Sequence, residues 1–200
     1  LEALIGKQLT QLGKTVAIAE SCTGGSIVQA ITTSAGASKY LKGSVVTYAT
    51  ASKVNVLGIS EAIIEKHSVV SEEVAKAMAK GVLELYGTDY AISTTGNAGP
   101  SKGDADAEVG TVWIGIATKK YVYAEVFKFS NQREKTIRKA TNKAFQMLHP
   151  EIKDTDLNYI AYVVGLIKER ATFISDFWEL SHYFFKSPRA YNEKASKKAI

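Results

Sequence analysis

The sequence predicts an α/β fold, a mixed sheet covered by helices, with a helical C-terminal appendage. Three observations carry this expectation. Through residue 148 the chain alternates segments of helical period with short strand-like runs, as a sheet flanked by helices requires. The last two such runs, "VGTVWIGIAT" and "YVYAEVFKF", are joined only at Lys119-Lys120, and so short a connection returns the chain antiparallel. At His149-Pro150 the helical pattern ends and the composition shifts, with ten aromatic residues in 1–148 and nine in the much shorter remainder. The expected organisation is a domain at 1–148 and a helical tail at 149–200.

The elements follow in order. "LEALIGKQLTQLGK" reads as an amphipathic helix with Leu1, Leu4, Ile5, Leu9 and Leu12 on one stripe. "KTVAIA" is a buried strand, and Gly24 to Thr33 is a helix that starts at two glycines. "GSVVTYA" is the next strand, with Lys53 a few residues on, in a loop or at the start of a short helix through "VNVLG". Ser60 caps a helix through "EAIIEKH", and Ser71, followed by two acids, opens a longer one. That helix carries Val74, Met78, Val82 and Leu85 on one face and stops at Gly87. "YAISTT" is a short strand and "GNAGPSKGDADAE" a long polar loop. After the closing strand pair, a helix from about Asn131 to Leu148 presents Ile137, Ala140, Ala144 and Leu148.

Bulk composition excludes several classes. Hydrophobic residues are 46% and charged residues 22%, the balance of an ordinary globular protein, and no apolar run approaches the roughly 18 residues of a membrane span. The first helix lacks the cleavage region of a signal peptide, so a cytoplasmic protein is expected. Cys22 is the one cysteine, which rules out an intrachain disulfide and argues against a thiolate metal site. His67, His149 and His182 have no ligand-like spacing, so no metal and no histidine-based triad is expected. The net charge of +5 is interleaved with acids throughout, which suits a small anionic substrate at least as well as a nucleic acid for residues 1–148.

The stretch "AESCTGG", Ala19 to Gly25, places nucleophile candidates and glycines where a strand turns into a helix. Such a turn can be catalytic, can cradle an anion, or can simply cap the helix. Cys22 has no histidine partner in the sequence and reads as a small buried group, whereas Ser21 has a lysine available as its base, Lys53. That lysine needs its pKa lowered by several units to act. "TTGNAGPSKG" follows another strand, so Thr95, Gly96, Asn97 and Gly99 can present donors at the carboxyl end of the sheet. Arg133 falls in the first turn of the last helix, where a cation opposes the dipole unless an anion bridges them; Arg138, one turn on, is the alternative anion partner. Neither glycine-rich stretch fits a P-loop or a dinucleotide fingerprint.

In order, "AESCTGG", "GSVVTYATASKVNVLGI", "HSVVSEEVAKAMAKG", "TTGNAGP" and "VGTVWIGIAT" closely resemble the CinA C-terminal family of nicotinamide-nucleotide amidohydrolases over nearly all of 1–148. The resemblance implies hydrolysis of the carboxamide of nicotinamide mononucleotide to nicotinic acid mononucleotide and ammonia, without a metal or organic cofactor. It implies a catalytic set of Ser21 as nucleophile, Lys53 as base and Tyr48. Thr23, Gly24, Thr95, Gly96, Asn97 and Arg133 are implied to hold the nucleotide. Ala49-Thr50 stands where the family shows Ser-Asn, Asn97 where an aliphatic is common, and "SKGDADAE" where a glycine-rich segment ends in Lys-Pro.

The tail is different. "VVGLIKERATFISDFWELSHYFFKSP" and "YNEKASKK" resemble a fragment of the C-terminal region of bacterial glutamyl-tRNA synthetases, without that enzyme's ATP-binding motifs, as in a fusion. Phe173, Phe177, Leu180 and Phe184 recur at helical spacing and need cover, within the tail, from the first domain or from another chain, and a homo-oligomer is expected. The rival to an amidohydrolase is a nucleotide-binding or regulatory module without turnover, whose basic aromatic tail binds RNA or protein.

Overall fold

The computed structural model describes residues 1–101 and 107–153. The expected tail helix, its aromatic stripe and the centre of the polar loop lie outside the described residues. The chain divides into two compact units, Leu1–Asp154 and Thr155–Ile200.

The first unit is a five-stranded mixed sheet in the order β2-β1-β3-β4-β5, from β1 (Val16–Glu20), β2 (Leu41–Val46), β3 (Tyr90–Gly96), β4 (Thr111–Thr118) and β5 (Val122–Lys128). β2, β1 and β3 are parallel, and β3, β4 and β5 antiparallel, as the short Lys119-Lys120 connection requires. Among the described residues there are six α-helices: α1 (Glu2–Leu12), α2 (Ser26–Thr32), α3 (Thr50–Leu57), α4 (Glu61–His67), α5 (Glu72–Tyr86) and α6 (Arg133–Lys153).

Strand alternation splits the core in two. Val16 and Ile18 of β1, Ile92 of β3 and Ile114 and Ile116 of β4 face α1, α2 and α6, where they meet Ile5, Leu9, Ile27, Phe145 and Leu148. Ala17, Ala19, Ala91 and Ala117 face the other way, onto Val74, Met78 and Val82 of α5. The second face is made of small residues, so α5 lies close to the sheet, and Ser93 Oγ donates to the Ala75 carbonyl of α5 at 2.6 Å. β1 is covered on both faces, which is why its residues are all buried and, up to the closing Glu20, read as a continuous apolar run.

Several local expectations hold. Ser71 Oγ accepts the Val74 N–H at the start of α5, and Gly87 ends that helix in the left-handed conformation at φ 62°. Ser60 occupies the N-cap position of α4, though its hydroxyl makes no cap hydrogen bond.

Three expectations need correction. Leu85 is 50% exposed, because the buried face of α5 runs through Ala75 and Ala79 and has rotated past Leu85 by the last turn. Leu1 and Leu4 are also exposed, and α1 packs through Ile5 and Leu9. Finally, α6 runs through His149-Pro150 to Lys153. A proline disfavours helix at the residue before it, but burial of Ile152 and the bond from Tyr123 Oη to Glu151 Oε1 at 3.0 Å hold the added turn.

Gly115 lets α5 lie close to β4. A Cβ there would stand 2.7 Å from the Ala75 carbonyl oxygen, a backbone atom that cannot swing aside. Gly115→Ala is therefore expected to lower unfolding stability by about 1–3 kcal/mol, measured by urea denaturation. A stability equal to wild type would show that α5 can lift from the sheet freely.

Candidate active site

β1, β2 and β3 end at the same edge of the sheet. The chain reaches β2 from β1 through α2 on one face and β3 from β2 through α3, α4 and α5 on the other, so a crevice opens beyond β1 where the connections diverge. A cavity of about 390 Å³ lies there, within the range of small-molecule sites.

Each strand end contributes to it. Ser21 follows β1 directly, and its N–H donates to the Thr94 carbonyl at 3.0 Å, which extends the pairing of β1 with β3 by one residue and fixes the serine backbone. The turn after it needs left-handed backbone at Gly24 (φ 61°) and Gly25 (φ 102°), which only glycine adopts without strain. After β2 the chain bends into α3. Side chains of a helix lean toward its N-terminus, and the Lys53 stem accordingly runs back to the carbonyls that precede α3.

The two groups meet. Lys53 Nζ lies 3.1 Å from Ser21 Oγ, 2.7 Å from the Thr47 carbonyl oxygen and 3.3 Å from the Tyr48 carbonyl oxygen. An ammonium donates to all three. A neutral amine at the same place keeps two N–H donors for the two carbonyls and turns its lone pair to the Ser21 hydroxyl, which then donates. Lys53 is 1% exposed, and burial brings its pKa down from 10.5 to about 8. The same burial pushes the Cys22 thiol up to about 12, so the better intrinsic nucleophile is held as an inert thiol.

Tyr48, Thr95, Gly96, Asn97 and Arg133 also line the cavity. Tyr48 is 59% exposed and its hydroxyl accepts from Arg133 Nη2 at 2.7 Å; it is the backbone carbonyl of Tyr48 that touches the dyad. Arg133 Nη1 donates to the Gly99 carbonyl at 3.0 Å, so the guanidinium spans the rim between the loops after β2 and β3. Thr95 donates to the Val69 carbonyl at 2.7 Å. Asn97 Nδ2 donates to the Ala107 carbonyl at 3.2 Å and its Oδ1 accepts the Gly99 N–H at 3.3 Å, tying together the two ends of the polar loop. Arg138 lines a separate hollow between α2 and α6, with Glu134 and Asn142, which leaves Arg133 as the arginine of this cavity.

Thr23 and Gly24 do not line the cavity. Thr23 is buried with its hydroxyl 2.7 Å from that of Thr94, and the Gly24 N–H donates to the Ser21 carbonyl. Nor is the start of α2 open to a ligand, because Glu20 occupies it. Its carboxylate, 0% exposed, accepts the N–H groups of Gly25 (3.0 Å), Ile27 (3.1 Å) and Val28 (2.9 Å). Sequence reasoning passed over Glu20. The available signal was an acid closing a wholly apolar strand, where a buried charge must find donors nearby. Val69, Val70, Ala98 and Ser101 also line the cavity, from loops that carry no distinguishing pattern. Among the described residues, no three His, Cys, Asp or Glu side chains converge as a metal site. Nor is any helix among them long and apolar enough to cross a membrane.

Fold and site together define an α/β domain that buries a serine–lysine pair at the carboxyl ends of three parallel strands. The chain belongs to the CinA C-terminal domain family, whose model matches residues 1–152. It is 55% identical over 152 residues to a CinA-like protein of Flavobacterium psychrophilum and 43% identical over 152 residues to one of Endomicrobium trichonymphae. Each of those matches covers 76% of this chain and 36% of the relative, so the chain spans about a third of the length of the curated relatives it matches. Among solved structures, the competence damage-inducible protein A of Klebsiella pneumoniae superposes with a TM-score of 0.73 at 31% identity, covering 78% of this chain and 96% of that one. A competence/damage inducible protein of Agrobacterium tumefaciens gives 0.72 at 31% identity, covering 74% and 92%. An anticodon binding domain model matches residues 128–200 and overlaps the first match through α6, a helix that packs in the α/β core.

At this distance Lys53 can accept the Ser21 proton only in its neutral form. Lys53 loses its proton as pH rises through about 8, so covalent labelling of Ser21 by a fluorophosphonate is expected to accelerate roughly tenfold per pH unit below that value and level off above it. Intact-mass kinetics from pH 6 to 10 check this. A flat profile, or labelling unchanged in Lys53→Met, would remove Lys53 as the base.

Proposed function

We propose that this domain hydrolyses the carboxamide of nicotinamide mononucleotide to nicotinic acid mononucleotide and ammonia. The observation that carries the reading is the 3.1 Å approach of the buried Lys53 amine to Ser21 Oγ inside the cavity. Neutral Lys53 takes the Ser21 proton as Oγ attacks the amide carbon. The Cys22 N–H, next to the nucleophile, is the donor we assign to the oxyanion. Lys53 then passes the proton to the leaving nitrogen, ammonia departs, and a nicotinoyl ester remains on Ser21. Water attacks that ester with Lys53 again as base, giving the free acid and restoring the serine. No step calls on a metal or an organic cofactor.

The rim supplies the substrate's other end. Arg133 is an exposed cation whose two bonds go to a phenol and a carbonyl, and a phosphate dianion is a stronger acceptor than either. A nucleotide monophosphate thus suits the site. The match to an anticodon binding domain over 128–200 favours a second reading, in which the α/β domain binds a nucleotide without turnover and the tail, with its likeness to a glutamyl-tRNA synthetase fragment, binds RNA.

Purified chain treated with a chelator is expected to release ammonia from nicotinamide mononucleotide. Ser21→Ala should reduce kcat by roughly 10⁴-fold or more, Lys53→Met nearly as much, and the double variant little further, because the pair acts as one unit. Cys22→Ala should keep most of the activity. Tight nucleotide binding without ammonia release would favour the second reading, and a Cys22→Ala loss matching Ser21→Ala would overturn the serine assignment.

Arg133→Leu should raise KM for the mononucleotide about 10- to 100-fold, the worth of a charge-assisted contact, and leave the dephosphorylated riboside unaffected. Equal effects on both substrates would place the phosphate elsewhere.

A further inference from the structure

We infer that Glu20 is a positioning residue whose carboxylate holds the turn that carries Ser21 in place against Lys53. The inference rests on Ser21 and Lys53 acting as proposed above, and it concerns a side chain that touches neither substrate nor reacting atoms. Glu20 is joined to each half by a short path. Its backbone carbonyl accepts the Thr47 N–H at 2.8 Å, and the Thr47 carbonyl in turn accepts from Lys53 Nζ at 2.7 Å. Its carboxylate clamps the far end of the turn that begins at Ser21, through Gly25, Ile27 and Val28.

That turn needs a clamp because of what it is made of. Gly24 and Gly25 both sit at positive φ, where glycine is permitted but not confined, so the local backbone alone does not fix where Ser21 Oγ points. α2 begins five residues after Ser21 and has no side-chain cap of its own. The three N–H bonds to one fully buried carboxylate supply the missing constraint from the strand side. Charge matters here as well as shape. An ionised carboxylate only accepts, and all three of its partners are donors; an amide of the same size would turn its own N–H₂ against at least one of them.

A second consequence concerns anions. With the carboxylate seated on the start of α2, the partial positive charge of that helix end is already neutralised, so this turn does not serve as the phosphate cradle that its glycines suggest. The phosphate falls to Arg133, and the turn is left to aim the serine.

A merely structural cap and a positioning residue differ in what happens per folded molecule. The experiment measures fluorophosphonate labelling of Ser21 at pH 9, where Lys53 is neutral, on the full chain, with rates normalised to the folded fraction from circular dichroism. Wild type is compared with Glu20→Gln, with Glu20→Asp and with Ile31→Ala, a core cavity near the far end of the same helix, outside the hydrogen bonds of the turn and the dyad. The expected result is a labelling rate about 10²-fold lower in Glu20→Gln, the scale of a misplacement near 1 Å. Ile31→Ala should lose thermal stability while keeping a rate within about twofold of wild type. Should Glu20→Gln fail to fold, Glu20→Asp, which keeps the charge but is too short for all three N–H groups, carries the same comparison. A wild-type rate in the Glu20 variant that folds, or an equal loss in Ile31→Ala, would overturn the inference while leaving the dyad intact. Absence of labelling in wild type would overturn the dyad itself and the inference with it.

Discussion

A lysine amine held out of water beside a serine hydroxyl is the constraint around which this domain is arranged. Burying an ammonium is costly, and the fold meets the cost with three acceptors: Ser21 Oγ and the carbonyls of Thr47 and Tyr48. Those carbonyls are available because the backbone between β2 and α3 runs neither as strand nor as helix. The same burial that makes the charged form expensive draws the Lys53 pKa toward neutrality. Desolvation thus makes the proton easier to lose, and the geometry keeps the amine within hydrogen-bond reach of the serine in either state.

The sheet makes this possible by being asymmetric. On one face, Val16, Ile18, Ile92, Ile114 and Ile116 build an ordinary aliphatic core with α1, α2 and α6. On the other, alanine, serine and glycine let α5 lie close, with Ser93 bonded to the Ala75 carbonyl. β1 is paired on both edges and covered on both faces, so the residue that follows it is firmly placed. A nucleophile at that point inherits the precision of the strand rather than the freedom of a loop.

Charge is divided between two anchors. Glu20 faces inward and takes up the donors at the start of α2, while Arg133 faces outward from the first turn of α6 and bridges the loops after β2 and β3. On the proposed reading the inner anchor serves aim and the outer one serves substrate capture. Cys22 is held as a thiol chiefly by burial, with the Glu20 charge acting in the same direction.

By itself the sequence determined the alternation of elements, the antiparallel return at Lys119-Lys120, the Ser71 cap, the Gly87 stop and the pairing of Ser21 with Lys53 as candidates. These are local signals or signals of residue chemistry, and period, turn residues and nucleophile chemistry are written in the chain. Tertiary structure decided the rest, because it turns on contacts between distant residues. It put Arg133 on the rim and Arg138 in another hollow, kept Thr23 and Gly24 out of the cavity, and gave Glu20 a role that no neighbouring residue announces. It also carried α6 through Pro150, since burial of Ile152 outweighs a local preference to stop. Whether a helix end, an arginine or an acid serves the site depends on which surfaces the sheet brings together, and a sequence read residue by residue holds that information only implicitly.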